Sequence, residues 1–113
     1  MSRSPVLRSV DAVTVPVPDL DAGLRFYRDS LGHELLWRND SLGQAGLRLP
    51  RSDTELVLCV DVAYQPTWLV DDVRNAVAEI VAAGGTVVAE PHRVPVGLLA
   101  VVADPFGTAL VLI

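Results

Sequence analysis

Few side chains in this 113-residue sequence have types and positions suited to chemistry, and they are scattered. His33 and His92 are not at metal-ligand spacing, and no paired carboxylate accompanies either. His33 directly follows Gly32 at an expected helix end, where the helix dipole favours it without any catalytic role. His92 lies in Pro91-His92-Arg93-Val94-Pro95, read as a loop that either stays solvated or touches a ligand. Cys59 is the single cysteine, so no intramolecular disulfide forms. No base or cation stands near it in sequence to activate a thiolate, and it reads as small core filler. Arg48, between Leu47 and Leu49, faces either solvent or an apolar site.

The bulk properties exclude several classes of function. A formal charge of −5 with no basic run argues against a nucleic-acid partner. No apolar stretch approaches the roughly 20 residues that span a bilayer, which predicts no membrane partner. The opening Met1-Ser2-Arg3-Ser4-Pro5 is not followed by a hydrophobic segment of the signal-peptide kind, which points to the cytoplasm.

The elements that position these residues come twice. Val10–Val17 reads as a strand, Asp19 as a helix N-cap, and Leu20, Leu24, Tyr27 and Leu31 as one helical face ended by Gly32. Gly23 inside that helix costs about 1 kcal/mol relative to alanine, so packing must hold the segment. Strands are expected at Glu34–Arg38, Ala45–Leu49 and Glu55–Val60. Trp68–Val70, the cap Asp72, a helix through Val73, Val77 and Ile80, and Gly84-Gly85 repeat the plan. Strands at Thr86–Ala89, Leu98–Ala103 and Ala109–Ile113 complete it.

A constant shift of 53 lays one half on the other without a gap. It takes Val17 to Val70, Asp19 to Asp72, Gly32 to Gly85, Leu35 to Val88, Leu49 to Val102 and Leu58 to Val111. The expectation is an α+β fold of two tandem βαβββ modules, approximately residues 8–61 and 62–113, related by internal duplication. Their curled mixed sheet would surround a central trough.

Val15-Pro16-Val17-Pro18-Asp19-Leu20-Asp21 with Phe26-Tyr27-Arg28-Asp29-Ser30-Leu31-Gly32 resembles the opening of the vicinal oxygen chelate superfamily, which includes glyoxalases, dioxygenases and bleomycin-resistance proteins. Val70-Asp71-Asp72-Val73, Ala82–Val88 and Ala103-Asp104-Pro105-Phe106-Gly107 match its second module. The resemblance covers essentially the whole chain and implies the glyoxalase-like fold. In metal-dependent members the ligands come from the first and last strands of each module. Carried over by motif, and again by the repeat, those positions are Ala12, Leu58, Gln65 and Val111. None is histidine or a carboxylate, so no metal or other cofactor and no metal-assisted catalysis are expected.

Strand parity places Ala12, Thr14, Leu58, Gln65, Thr67 and Val111 in the trough, with Cys59 and Trp68 on the helix side. Trp37 is either a stacking wall for a ligand or a core residue. The resulting expectation is a metal-free binder of a small apolar or aromatic, antibiotic-like molecule, acting by sequestration as a homodimer. Its candidate contacts are Thr14, Trp37, Leu58, Gln65, Thr67, His92 and Val111. The alternative is a lyase, isomerase or dioxygenase of the same superfamily with a relocated metal centre using His92, Glu90 or Asp61. A third possibility is a module whose trough is filled by its own side chains.

Overall fold

The structure, a computed structural model, describes residues 4–113. Met1-Ser2-Arg3, the start of the segment read above for a leader, lie outside the described residues. The chain forms two compact units. The N-terminal unit is Asp11–Pro66, and the C-terminal unit joins Thr67–Ile113 to the described residues up to Val10. Among the described residues, no helix is long and apolar enough to cross a membrane.

In the N-terminal half of the chain, β1 (Ser9–Pro16) leads into α1 (Leu20–Leu24), which runs on as a π-helical segment, Arg25–Ser30. Strands β2 (Leu35–Asn39), β3 (Gln44–Arg48) and β4 (Glu55–Cys59) follow. They pair in the order β2-β3-β4-β1, with β1 parallel to β4 and the other pairs antiparallel. The C-terminal half has β5 (Gln65–Leu69), α2 (Val73–Ala82), β6 (Thr86–Val94), β7 (Gly97–Ala103) and β8 (Ala109–Leu112). Its order, β5-β8-β7-β6, with β5 parallel to β8, repeats the first. The mixed α+β architecture of two βαβββ halves is therefore present.

Both helices start as their sequences dictate. The Asp19 carboxylate accepts from Ala22 N at 2.7 Å, and the Asp72 carboxylate accepts from Asn75 N at 2.9 Å. Gly23 is explained by close approach: a Cβ there would sit 2.9 Å from Val17 Cγ1 and 3.0 Å from Leu58 Cδ1. The lost helix propensity is offset by seating the helix directly on the sheet. Beyond Leu24 the hydrogen bonds reach back five residues instead of four, as in Leu31 N to Phe26 O at 2.9 Å. A four-residue step then falls short of a full turn, so Leu31 leaves the expected buried face and is exposed.

Two buried clusters mark the helix side of each half. Val17, Leu20, Leu24, Ala45, Leu47 and Leu58 form one, flanked by Val15, Tyr27, Leu35 and Leu56. Val70, Val73, Ala76, Val77, Ala100, Val102 and Leu112 form the other, flanked by Trp68, Ile80 and Leu110.

These clusters correct the gapless repeat. Val17 and Val70 keep the shift of 53, but Leu35 corresponds to Val87, 52 residues on, through their partners Leu47 and Val102. Ala45 and Ala100 stand 55 apart, and Leu58 and Leu112 stand 54 apart, with Ala45 facing Leu58 and Ala100 facing Leu112. The physical causes are local. The π-helical stretch takes up one more residue than an α-helical ending, so the left-handed glycine of the second half is Gly84 (φ 110°), not Gly85. The β6–β7 hairpin is longer than its counterpart.

Strand β6 also runs further than Thr86–Ala89. Pro91 breaks the expected pattern in sequence, yet the edge position of β6 tolerates a missing N–H, and the register shifts between Ala89 and His92 absorb it. His92 is therefore a strand residue opposite Leu99, not part of a loop.

A candidate ligand-binding face

The sheet face opposite α1 carries one cross-strand row, Trp37–Gly46–Val57–Thr14, because each neighbour is the direct register partner of the next. Side chains of paired residues emerge on one side of a sheet. Arg48, Glu55 and Ala12 form the row beside it, and Gln44 faces Cys59 on the other side.

Trp37 lies over the backbone of β3. A Cβ on Gly46 would overlap the indole Nε1 and Cε2, and would come within 2.6 Å of Glu55 Oε1. Glycine at this position is what allows the ring to lie there. The indole N–H donates to Glu55 Oε1 at 2.6 Å, in partly buried surroundings. This short charge-assisted bond fixes both ring and carboxylate. Arg38, the next residue on β2, pairs with Asp40 at 2.7 Å and Asp21 at 3.1 Å, tying that strand to the start of α1.

Glu55 is half-buried and has a second carboxylate near it. The Asp11 carboxyl is pushed above its ordinary value, first by burial and then by the negative charge of Glu55. Arg48 stands opposite Glu55 in the ladder, but its guanidinium pairs with Glu34 at 3.5 Å and is largely exposed. It resolves to the solvent side of the two placements open from sequence.

The repeat offsets identify the same row in the C-terminal unit as Ala89–Val101–Val111–Thr67. There the tryptophan and glycine are replaced by alanine and valine, and the row carries no charge.

Leu58 is corrected. It was expected on the open face, but it is fully buried in the helix-side cluster against α1. Val57 takes its place on the face. Cys59 changes sides with it: it is buried, and its Sγ accepts from Gln44 Nε2 at 3.7 Å. Ala12 is buried and Thr14 half-buried on β1. Gln65 and Thr67 are half-buried on β5, Val111 is buried outside the helix-side cluster, and Trp68 packs on the helix side. His92 is exposed, with Nδ1 2.9 Å from its neighbour Glu90 O. Glu55 and its bond to Trp37 were missed from sequence, because the parity that put Leu58 on this face put Glu55 beneath the helix.

The residues at the family's metal positions do not fit a metal. Ala12, Leu58 and Val111 offer no donor atom, and replacing Leu58 by Val57 changes nothing; Gln65 supplies one neutral amide. Among the described residues, no group of three or more histidine, cysteine, aspartate or glutamate side chains gathers to hold one elsewhere. Asp61, Glu90 and His92 thus do not assemble a relocated centre.

A cavity of about 630 Å³ lies in the C-terminal unit between Ser4–Val6 and the start of α2, lined by Asp71, Asp72, Asn75 and Glu79. Its polar groups have structural tasks: Asp72 caps the helix, and Asp71 pairs with Arg8 at 3.6 Å. It contains no ring platform, and the face around Trp37 is the better candidate.

With this geometry, the sequence profile of the Glyoxalase/Bleomycin resistance protein/Dioxygenase superfamily matches residues 9–112. The chain belongs to that superfamily. Its fold is similar to that of methylmalonyl-CoA epimerase from Mycobacterium tuberculosis, at 22% identity over 99% of this chain and 91% of the other, with a TM-score of 0.75. A Streptomyces coelicolor methylmalonyl-CoA epimerase, solved with 2-nitronate-propionyl-CoA, is similar at 23% identity, 96% coverage of each chain and a TM-score of 0.74. Hypothetical protein BH1468 from Bacillus halodurans C-125 is similar at 17% identity, covering 92% of this chain and 91% of that one, with a TM-score of 0.73. At such identities the likeness is one of fold. No curated protein matches the sequence.

Proposed function

We propose that this superfamily member is a metal-free binder that sequesters a small apolar or aromatic, antibiotic-like molecule without changing it. The observation that carries this reading is the contrast between two sets of positions. Those that would ligate a metal hold Ala12, Val57, Gln65 and Val111, whereas Trp37 is laid over Gly46 and fixed by Glu55. A rigid aromatic platform supplies apolar contact area at low entropic expense, as a binding face requires. Thr14 and Gln65 offer hydrogen-bonding groups on the N-terminal unit, and Thr67 beside Val111 does so on the C-terminal unit. His92, exposed on the edge strand, is a peripheral contact.

The protein acts in this reading as a cytoplasmic homodimer. The exposed apolar side chains of Phe26, Leu31 and Leu36, and of Val87 and Val88 on β6, support self-association.

The test is a thermal-shift and intrinsic-fluorescence screen with neutral and aromatic antibiotics, followed by mass spectrometry of any bound compound. Recovery of the compound unaltered after long incubation is expected. Turnover of a bound compound would contradict sequestration.

A further inference from the structure

The Glu55 carboxylate is half-buried, yet among the described residues its hydrogen-bond donor is a neutral indole. All nine cationic residues of the chain are arginines. Among the described residues none pairs with Glu55, although Arg48 stands directly across the ladder and is engaged by Glu34. A carboxylate accepts at about four lone-pair sites, of which the indole takes one. Leaving such a group partly desolvated and without a cation is unfavourable for the free protein. Asp11, whose carboxyl is affected by the charge of Glu55, adds to the negative potential around this end of the face. The arrangement is an aromatic plane with a carboxylate at its polar edge, on a sheet face shared with Val57, Thr14 and Ala12, where the guanidinium of the neighbouring Arg48 is turned to Glu34.

Resting on the binder reading above, we propose that the ligand class is a planar aromatic cation, which stacks on Trp37 while its protonated amine pairs with Glu55. The ring supplies apolar and cation–π attraction, and the ligand's amine supplies the positive charge that no described residue brings to Glu55. Glu55 is thus the residue that distinguishes a charged aromatic from its neutral isostere. The structure favours this class over anions, which the same carboxylate repels.

The experiment is calorimetric titration of the full chain with 9-aminoacridine, cationic at neutral pH, and with acridine, its largely neutral parent. Wild type is expected to bind the amine about tenfold more tightly than acridine, the scale of one hydrogen bond to a charged group. Glu55→Gln keeps an oxygen to accept from Trp37, so it is expected to retain acridine and lose the preference for the amine. Raising ionic strength on wild type is expected to erode the preference in the same way, without any substitution. Equal affinity for the two probes, or an undiminished preference in Glu55→Gln and in high salt, overturns the charge assignment and leaves the binder reading standing. Binding of neither probe overturns both.

Discussion

The indole N–H of Trp37 reaches Glu55 across a gap in the side-chain layer that only Gly46 can leave open. Three residues from three adjacent strands therefore depend on one another, and Gly46→Ala tests that dependence. Its Cβ would overlap the ring, which must swing away from the sheet. A loss of about 1–3 kcal/mol in stability is expected, as for overpacking in general. Chemical denaturation should show that loss, together with a red shift of tryptophan emission.

Glu55→Ala and Glu55→Gln are expected to part company in stability. Alanine leaves the half-buried Trp37 N–H without its acceptor and should cost about 1–2 kcal/mol. Glutamine keeps the acceptor and removes the lone charge, so its melting temperature should equal or exceed that of wild type. A melting curve of each variant checks this.

Leu58 and Val57 lie on opposite sides of β4, and truncation should report it. Leu58→Ala empties a site against α1 and should cost about 2–5 kcal/mol, whereas Val57→Ala should cost clearly less. Reversed magnitudes in urea denaturation would restore the uniform 53-residue repeat.

Much of the fold is legible in the amino-acid sequence. The cap aspartates, the face of α2, the face of the first helix as far as Tyr27 and seven of the strand positions follow from local chemistry that the tertiary structure does not overrule. The site was less legible, for one reason of register. A single-residue slip turns every side chain of a strand to its other face, and the shift of 53 was one residue wrong at β4. The correcting signal was present: Thr54-Glu55-Leu56-Val57-Leu58-Cys59 recurs as Thr108-Ala109-Leu110-Val111-Leu112-Ile113, 54 residues on. The long β6 and the π-helical stretch had no comparable signal. They depend on edge position and on tertiary packing that no local pattern encodes.

Asp11 supplies a pH test. Its folded carboxyl is raised above 3.8 by burial and by Glu55, so the folded chain holds the proton more tightly than the unfolded one. Stability contributed at low pH is therefore lost as pH climbs through that window, and stays lost above it. Asp11→Asn removes the effect. It should be slightly stabilising at pH 7 and without effect near pH 3, measured by denaturation at both values.

The central claim of the proposed binder reading is that no metal is needed, because Ala12, Val57 and Val111 offer no donor atom and Gln65 only one neutral amide. Elemental analysis of the purified protein tests it most directly, after dialysis and readdition of Ni²⁺, Zn²⁺, Mn²⁺ and Fe²⁺, with thermal stability read in parallel. The expected result is no metal retained near one per chain and no stabilisation by any of the four. Stoichiometric, tightly held metal with a raised melting temperature would contradict the account and turn attention to carboxylates and to His92 as ligands.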